Sequence, residues 1–225
     1  PFRLYTQDQG LTNVTVKNLF QDRTGFLWVS TENGVFRYDG ERFRRFATEE
    51  GLPRELAATF GETPEGVLLA GGQKGLFQLS GERFVQVPVP GVNNVSTSTG
   101  ILTDSRGRIW LATDAGLYVA DPSQTAGKLQ FAPVPRGSTE PAGDTAGLFA
   151  DKTGLWYRAN ESICHRDDRD VTCYSIEQGL PRDQWAAITR DFRGDLWSRS
   201  RSKLVVLRKG RSRFELVNAG FATDG

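Results

Sequence analysis

The sequence predicts an all-β protein, a β-propeller of five four-stranded antiparallel blades. Three observations carry that reading. Turn glycines recur at Gly25, Gly66, Gly107, Gly154 and Gly194, stepping by 41, 41, 47 and 40 residues. A large side chain follows three places after the glycine in four copies: Trp28, Leu69, Trp110 and Trp197. Each unit of roughly 40 residues also holds four short apolar stretches separated by turn signals, which is the arithmetic of a propeller blade.

The elements repeat in a fixed order. An apolar strand, 16–21 in the first copy, runs into a turn ending in glycine, a residue that takes positive φ without steric cost. The second strand carries the large residue. In copy four Trp156 arrives one residue early, so that turn is expected to be shortened. A second turn ends at Gly34, Gly75 and Gly116, with Ser162 and Lys203 standing near that offset in copies four and five. The third strands read "VFRY" and "LFQL". The tight turns "DGERF" (39–43) and "SGERF" (80–84) follow, and Asp-Gly is a strong hairpin signal. Fourth strands such as "FRRF" and "FVQV" close the units. The 47-residue step contains "DPSQTAGKLQFAPVPRGSTEPAGDTAG", rich in Gly, Pro, Ser and Thr, and is read as an insertion. The whole chain, 1–225, is thus one propeller unit with repeats at about 7–46, 47–87, 88–133, 134–176 and 177–217. Residues 218–225 begin a further repeat.

A four-stranded meander buries both faces only by packing between neighbours. Trp28, Trp110, Trp156 and Trp197 recur at the repeat period and are expected in that core. Trp185 lies outside the series, in "GLPRDQWAAI", where blade two has Leu56, so both a packed and an exposed role stay open for it. Asp22, Asp104, Asp151 and Asp191 open the first turns. They are read as caps bonding backbone N–H groups, not as metal ligands. The motif is loosely similar to the Asp box of sialidases, but its Asp-to-Gly spacing is one residue too long.

Composition narrows the function. Lys and Arg total 28 and Asp and Glu 27, nearly neutral, so no nucleic-acid partner is expected. No apolar run approaches the roughly 18 residues that span a membrane. The chain opens at Pro1 and contains no Met, and is expected to be a piece of something longer or processed. Cys164 and Cys173 lie on two short strands around a polar turn centred between Asp168 and Arg169, which sets them face to face. The alternative is a pair of buried free thiols. The hairpin register favours a disulfide, and hence an oxidising compartment. His165, the single histidine, is expected as a solvated hairpin residue. A lone histidine excludes H-E-x-x-H metal sites and disfavours a histidine triad. No catalytic residue, metal site or cofactor is expected.

The binding candidates are the loops leading into each first strand, because loops on one rim of a propeller gather around its axis. They supply Asn13, Arg54, Glu55, Asn93, Asn94, Arg182, Asp183, Gln184 and Trp185, groups suited to hydrogen-bonding a polyol or carbohydrate. The same residues also suit loop capping. A basic run (Arg199, Arg201, Lys203, Arg208, Lys209, Arg211, Arg213) reads as a solvated face, with an acidic-ligand surface as the sharper alternative.

The stretch "LTNVTVKNLFQDRTGFLWVSTENGVFRYDGERFRRF" closely resembles the two-component regulator propeller repeat. The resemblance rests on the "GL" starts (Gly10–Leu11, Gly51–Leu52, Gly179–Leu180), the D-x-x-G-x-x-W core and the "G-[LV]-[FY]" third strand. It is strong in copies one and three, good in two and five, and weak in copy four. Such repeats build the extracytoplasmic sensor regions of bacterial hybrid histidine kinases and related signalling proteins, in propellers of about seven blades. The resemblance therefore implies a non-enzymatic, periplasmic or extracellular sensor fragment of a larger ring, recognising a small molecule or glycan. It would reach the membrane only through a segment outside this sequence. The alternatives are a propeller enzyme, streptogramin-lyase-like or glycan-active, and a protein-interaction scaffold. One further expectation concerns closure. "FRLYT" at 2–6 reads as a fourth strand lacking its own first three, so the five blades are expected to be an open arc whose ends meet further blades or another copy of the chain.

Overall fold

The computed structural model describes residues 5, 7–12, 15–54, 56–125 and 127–217. They form five antiparallel four-stranded sheets in chain order. Blade one is β1 (Val16–Gln21), β2 (Leu27–Thr31), β3 (Gly34–Tyr38) and β4 (Phe43–Phe46). Blade two is β5 (Thr59–Glu62), β6 (Leu68–Gly72), β7 (Gly75–Ser80) and β8 (Arg83–Val87). Blade three is β9 (Ile101–Thr103), β10 (Ile109–Thr113), β11 (Gly116–Ala120) and a two-residue β12 (Ala132–Pro133). Blade four is β13 (Thr145–Asp151), β14 (Gly154–Ala159), β15 (Ser162–Arg166) and β16 (Val171–Tyr174). Blade five is β17 (Ala187–Arg190), β18 (Leu196–Arg199), β19 (Leu204–Leu207) and β20 (Phe214–Val217). The innermost strands pack in sequence, β1 on β5, β5 on β9, β9 on β13 and β13 on β17. All five turn glycines sit between the first and second strands of a blade or at the start of the second.

The turn motif has a chemical reason. In blade one, Asp22 Oδ1 accepts the backbone N–H groups of Thr24 and Phe26, while Oδ2 accepts the indole Nε1 of Trp28 at 2.7 Å. Asp104 and Asp191 bond Trp110 and Trp197 in the same way, at 2.9 and 3.0 Å. One carboxylate thus caps the turn and anchors the core indole six residues on. In blade four the shortened turn is a two-residue hairpin, with Asp151 paired directly to Gly154. The indole no longer reaches the carboxylate, and Trp156 Nε1 is buried without a partner.

The "GL" motif is steric. Gly10, Gly51 and Gly179 have φ of +91°, +84° and +79°, and a Cβ on them would fall within 2.5, 2.1 and 2.4 Å of the carbonyl oxygens of Phe43, Phe84 and Phe214. The lead-in chain therefore grazes the start of its own blade's fourth strand, an approach open only to glycine.

Between successive blades lie four hydrophobic clusters. The first joins Trp28, Val35 and Phe46 of blade one to Phe60, Phe77 and Phe84 of blade two. The others repeat the arrangement between blades two and three, three and four, and four and five. Among the described residues no cluster joins blade five to blade one. On the inner strand, Phe60, Ile101, Leu148 and Ile188 are 6%, 4%, 2% and 7% exposed beneath the preceding blade. Their counterpart in blade one, Leu19, is 62% exposed. At the other end Trp197 is half-buried, not sealed in the core as its period implies, and Phe192 in the neighbouring turn is 93% exposed.

The 2–6 strand expected at the front falls outside the described residues except for Tyr5, and 218–225 lie outside them entirely. Tyr5 meets Phe43 edge-on, centroids 5.7 Å apart at 84°. Fourth-strand Phe46 meets Phe84, and Tyr174 meets Phe214, at 5.8 and 5.4 Å and 86°. Tyr5 therefore takes the place of a fourth-strand aromatic from a preceding blade.

Cys164 and Cys173 are directly opposed on β15 and β16 and form a disulfide with Cα atoms 4.0 Å apart, facing blade three. His165, expected in solvent, is instead half-buried. Its ring stacks on Trp156 at 4.3 Å and its Nε2 lies 3.2 Å from Thr153 Oγ1. His165 is paired directly with Trp156 across β14 and β15, the position from which Arg37 lies over Trp28 in blade one, so the imidazole rests on the indole.

Candidate functional site

The lead-in loops share one rim with the turns between second and third strands, and the two sets bond to each other. Asn93 accepts Lys74 N–H through its carbonyl at 3.1 Å and donates its own N–H to Asp114 Oδ1 at 3.3 Å. Asn94 bridges Gln73, accepts Asp114 N–H through its carbonyl, and donates Nδ2 to Asp114 Oδ2 at 3.4 Å. Arg54 is exposed, and its carbonyl accepts Arg45 Nη2, which also donates to Asn33. Arg182 lies 3.7 Å from Glu161 in the second turn of blade four, both exposed. Asp183 accepts Lys203 Nζ at 2.6 Å and Ser200 Oγ at 3.0 Å. Desolvation raises the Asp183 carboxyl, but the hydrogen bonds from Lys203, Gln184 N–H and Ser200 outweigh it and hold the pKa below its ordinary value. Gln184 points to solvent.

The sequence-derived set is therefore dispersed around the rim rather than gathered at one point. Trp185 leaves it altogether. It is 1% exposed and packs with Ile163, Leu180 and Leu196 between blades four and five, where Leu56 does the same between blades one and two. Asn13 and Glu55 lie outside the described residues. The basic run divides among separate partners: Lys203 pairs with Asp183, Arg208 with Asp195 at 2.9 Å, and Arg213 donates to the carbonyl of Glu177.

One cleft of about 310 Å³ opens on this rim, in the size range of small-molecule sites. It brings Asn94 together with Gln73, Ser96, Thr97, Asp114 and Asp144. Two carboxylates, two carboxamides and two hydroxyls so placed offer donors and acceptors of both senses. Arg158 holds Asp144 on one side, and Asp114 is held by both asparagines. The floor is stiff. Ser96 N–H donates to Ala112, Gly147 N–H to Ser98 and Leu148 N–H to Thr99, tying the loop to β10 and β13. Thr99 is held at φ +44°, a conformation β-branched residues rarely adopt. Gln73, Asp114 and Asp144 escaped the sequence reading because they come from second turns and from the end of the insertion, not from the lead-in loops.

Residues 10–33 match the sequence model of the two component regulator propeller family. A comparison with curated proteins finds no match. Among solved structures, the chain is similar to the extracellular domain of BT3049 from B. thetaiotaomicron, assigned as a hybrid two component system. The TM-score is 0.74 at 19% identity, covering 87% of this chain and 28% of that one. The extracellular domain of BT4673 from the same organism, assigned as a one component system, gives 0.69 at 17% identity, covering 91% and 31%. A gluconolactonase from Xanthomonas campestris, XC5397, gives 0.54 at 13% identity, covering 91% and 76%. At these identities the likeness is one of fold. The chain spans less than a third of the length of the two extracellular domains.

Proposed function

We propose that this chain is a non-enzymatic, ligand-sensing segment from the extracytoplasmic part of a bacterial signal-transduction receptor. Its rim cleft takes a small polyhydroxylated molecule, a sugar or short glycan. The observation that carries this reading is the convergence of Asn94, Asp114 and Asp144 with the Ser96 and Thr97 hydroxyls over a backbone-stitched floor. Such a set bonds several hydroxyls at once without reorganising, which lowers the cost of binding. The Cys164–Cys173 disulfide supports a periplasmic or extracellular location. The uncovered faces at Leu19 and Trp197 support partners of the same architecture, either further blades of a longer chain or a second copy.

The test is a thermal-shift and calorimetry screen against mono- and oligosaccharides. A sugar at about 100 times its Kd should add about 2.7 kcal/mol of stability by mass action. Asp114→Ala and Asn94→Ala should remove that shift while leaving the unliganded melting point within a few degrees. A screen with no shift, or a shift indifferent to both substitutions, would sink the rim site. Turnover of the bound sugar, lost on changing Asp114 or Asp144, would move the chain to the enzymes.

A further inference from the structure

A second groove lies on the opposite rim, between the first turns of blades three and four, and we propose that it binds a small organic carboxylate. Its origin is visible by comparison. At the first junction Arg23, directly after Asp22, crosses onto the turn of blade two and donates to the carbonyls of Pro64 and Thr63 at 2.8 and 2.9 Å. At the second junction Pro64 holds that position and lies 3.2 Å from where a Cβ on Gly107 would stand. At the third the position is Ser105, too short to cross, and the facing turn is the shortened hairpin of blade four. Two small changes on either side of one junction leave a groove of about 670 Å³.

Its walls are of two kinds. Leu102, Trp110, Val134 and Leu155 present apolar surface. Arg108 and Lys152 line the groove as cations, and the pairing of Arg108 with Asp104 at 2.8 Å takes up its Nε alone. Asp104 is already engaged by its turn N–H groups, Trp110 Nε1 and Arg108 Nε. Asp151 is engaged by Thr153 and Arg190. Among the described residues, no ion pair or hydrogen bond occupies Lys152 Nζ or the two Arg108 Nη atoms. Arg106 and Asp168 form a bidentate pair at 2.8 and 2.7 Å between blades three and four at the groove. Both partners are largely exposed, so the pair closes one side of the groove without filling it. An anionic head bonded by Lys152 and the Arg108 Nη atoms, with an apolar body against Leu102 and Val134, satisfies both walls.

Amide chemical-shift titration with benzoate at fixed ionic strength, run beside inorganic sulfate, tests this. Benzoate should give saturable shifts confined to residues 105–107 and 152–154, and sulfate should not saturate over the same range. Lys152→Gln should weaken benzoate at least fivefold. Ser105→Phe fills the groove from blade three without removing a charge and should abolish the shifts, with the dispersed spectrum reporting an intact fold. No saturable benzoate shift would overturn the proposal. So would saturation by sulfate equal to that by benzoate, or benzoate binding unchanged in Lys152→Gln.

Discussion

Trp28 and Trp197 occupy the same place in their blades and make the same bond, indole to turn carboxylate, yet their surroundings differ. Trp28 is fully buried, with Phe46, Phe60 and Phe84 around it at centroid distances of 5.0 to 6.3 Å. Trp197 is half-buried and, among the described residues, lacks those aromatic neighbours, although a guanidinium lies over each indole, Arg37 at 5.7 Å and Arg208 at 5.8 Å. The local motif alone fixes the turn and the indole. Burial is added by the next blade, so the same residue contributes differently at a junction and at an end.

The largest expected effect is that of removing the two indoles. Trp28→Ala should cost about 3–5 kcal/mol, the range for deleting a fully buried aromatic. Trp197→Ala should cost clearly less, and Leu19→Ser should stay within about 0.5 kcal/mol. Denaturant unfolding of the three variants reads the order directly. Equal losses at Trp28 and Trp197 would mean that the far face of blade five is covered after all.

Next in size is the disulfide, which braces the edge of blade four at the junction with blade three. Cys164→Ser with Cys173→Ser should cost about 2–3 kcal/mol in the chain-entropy estimate for so short a loop. Amide exchange should speed up first in β15 and β16, while β1 to β8 keep their protection. Uniform loss across all blades would contradict junctions that act as separable units.

A smaller effect follows from His165, which sits on Trp156 with Thr153, Asp151, Asp167 and Arg190 around it. Burial lowers its pKa below the ordinary 6.5, outweighing the neighbouring carboxylates. The unfolded chain therefore binds the proton first as pH falls. This group leaves stability unchanged above about pH 6.5 and erodes it as pH drops through the folded pKa. His165→Phe keeps the stack and should flatten that part of the pH profile. An unchanged profile would show that the imidazole is not desolvated.

Much of the fold was legible because the repeat is written in residues with a strict local reason: Gly10, Gly51 and Gly179 against a carbonyl, and Asp22, Asp104 and Asp191 under an indole. Cys164 and Cys173 were legible because hairpin register is short-range. The rim cleft was legible only through Asn94. Asp114 and Asp144 reach it from a second turn and from an insertion, and no periodicity marks where those point. Trp185 stayed open between a packed and an exposed role because it lies outside the second-strand series, and its burial depends on blade four, a long-range contact. His165 is half-buried, not solvated, because it stands directly opposite Trp156 on the neighbouring strand, a pairing that the hairpin turn alone does not reveal.

A blade face is finished by a neighbouring blade, and among the described residues the faces at Leu19 and Trp197 have no blade over them. Light scattering behind a sizing column, over about a hundredfold range of concentration, reads whether those faces find cover in a second copy. The mass should exceed that of the 24.9 kDa chain, rise with concentration and fall on Leu19→Asp or Phe192→Asp. A compact monomer of the chain mass at every concentration, unaltered by either substitution, would contradict that expectation.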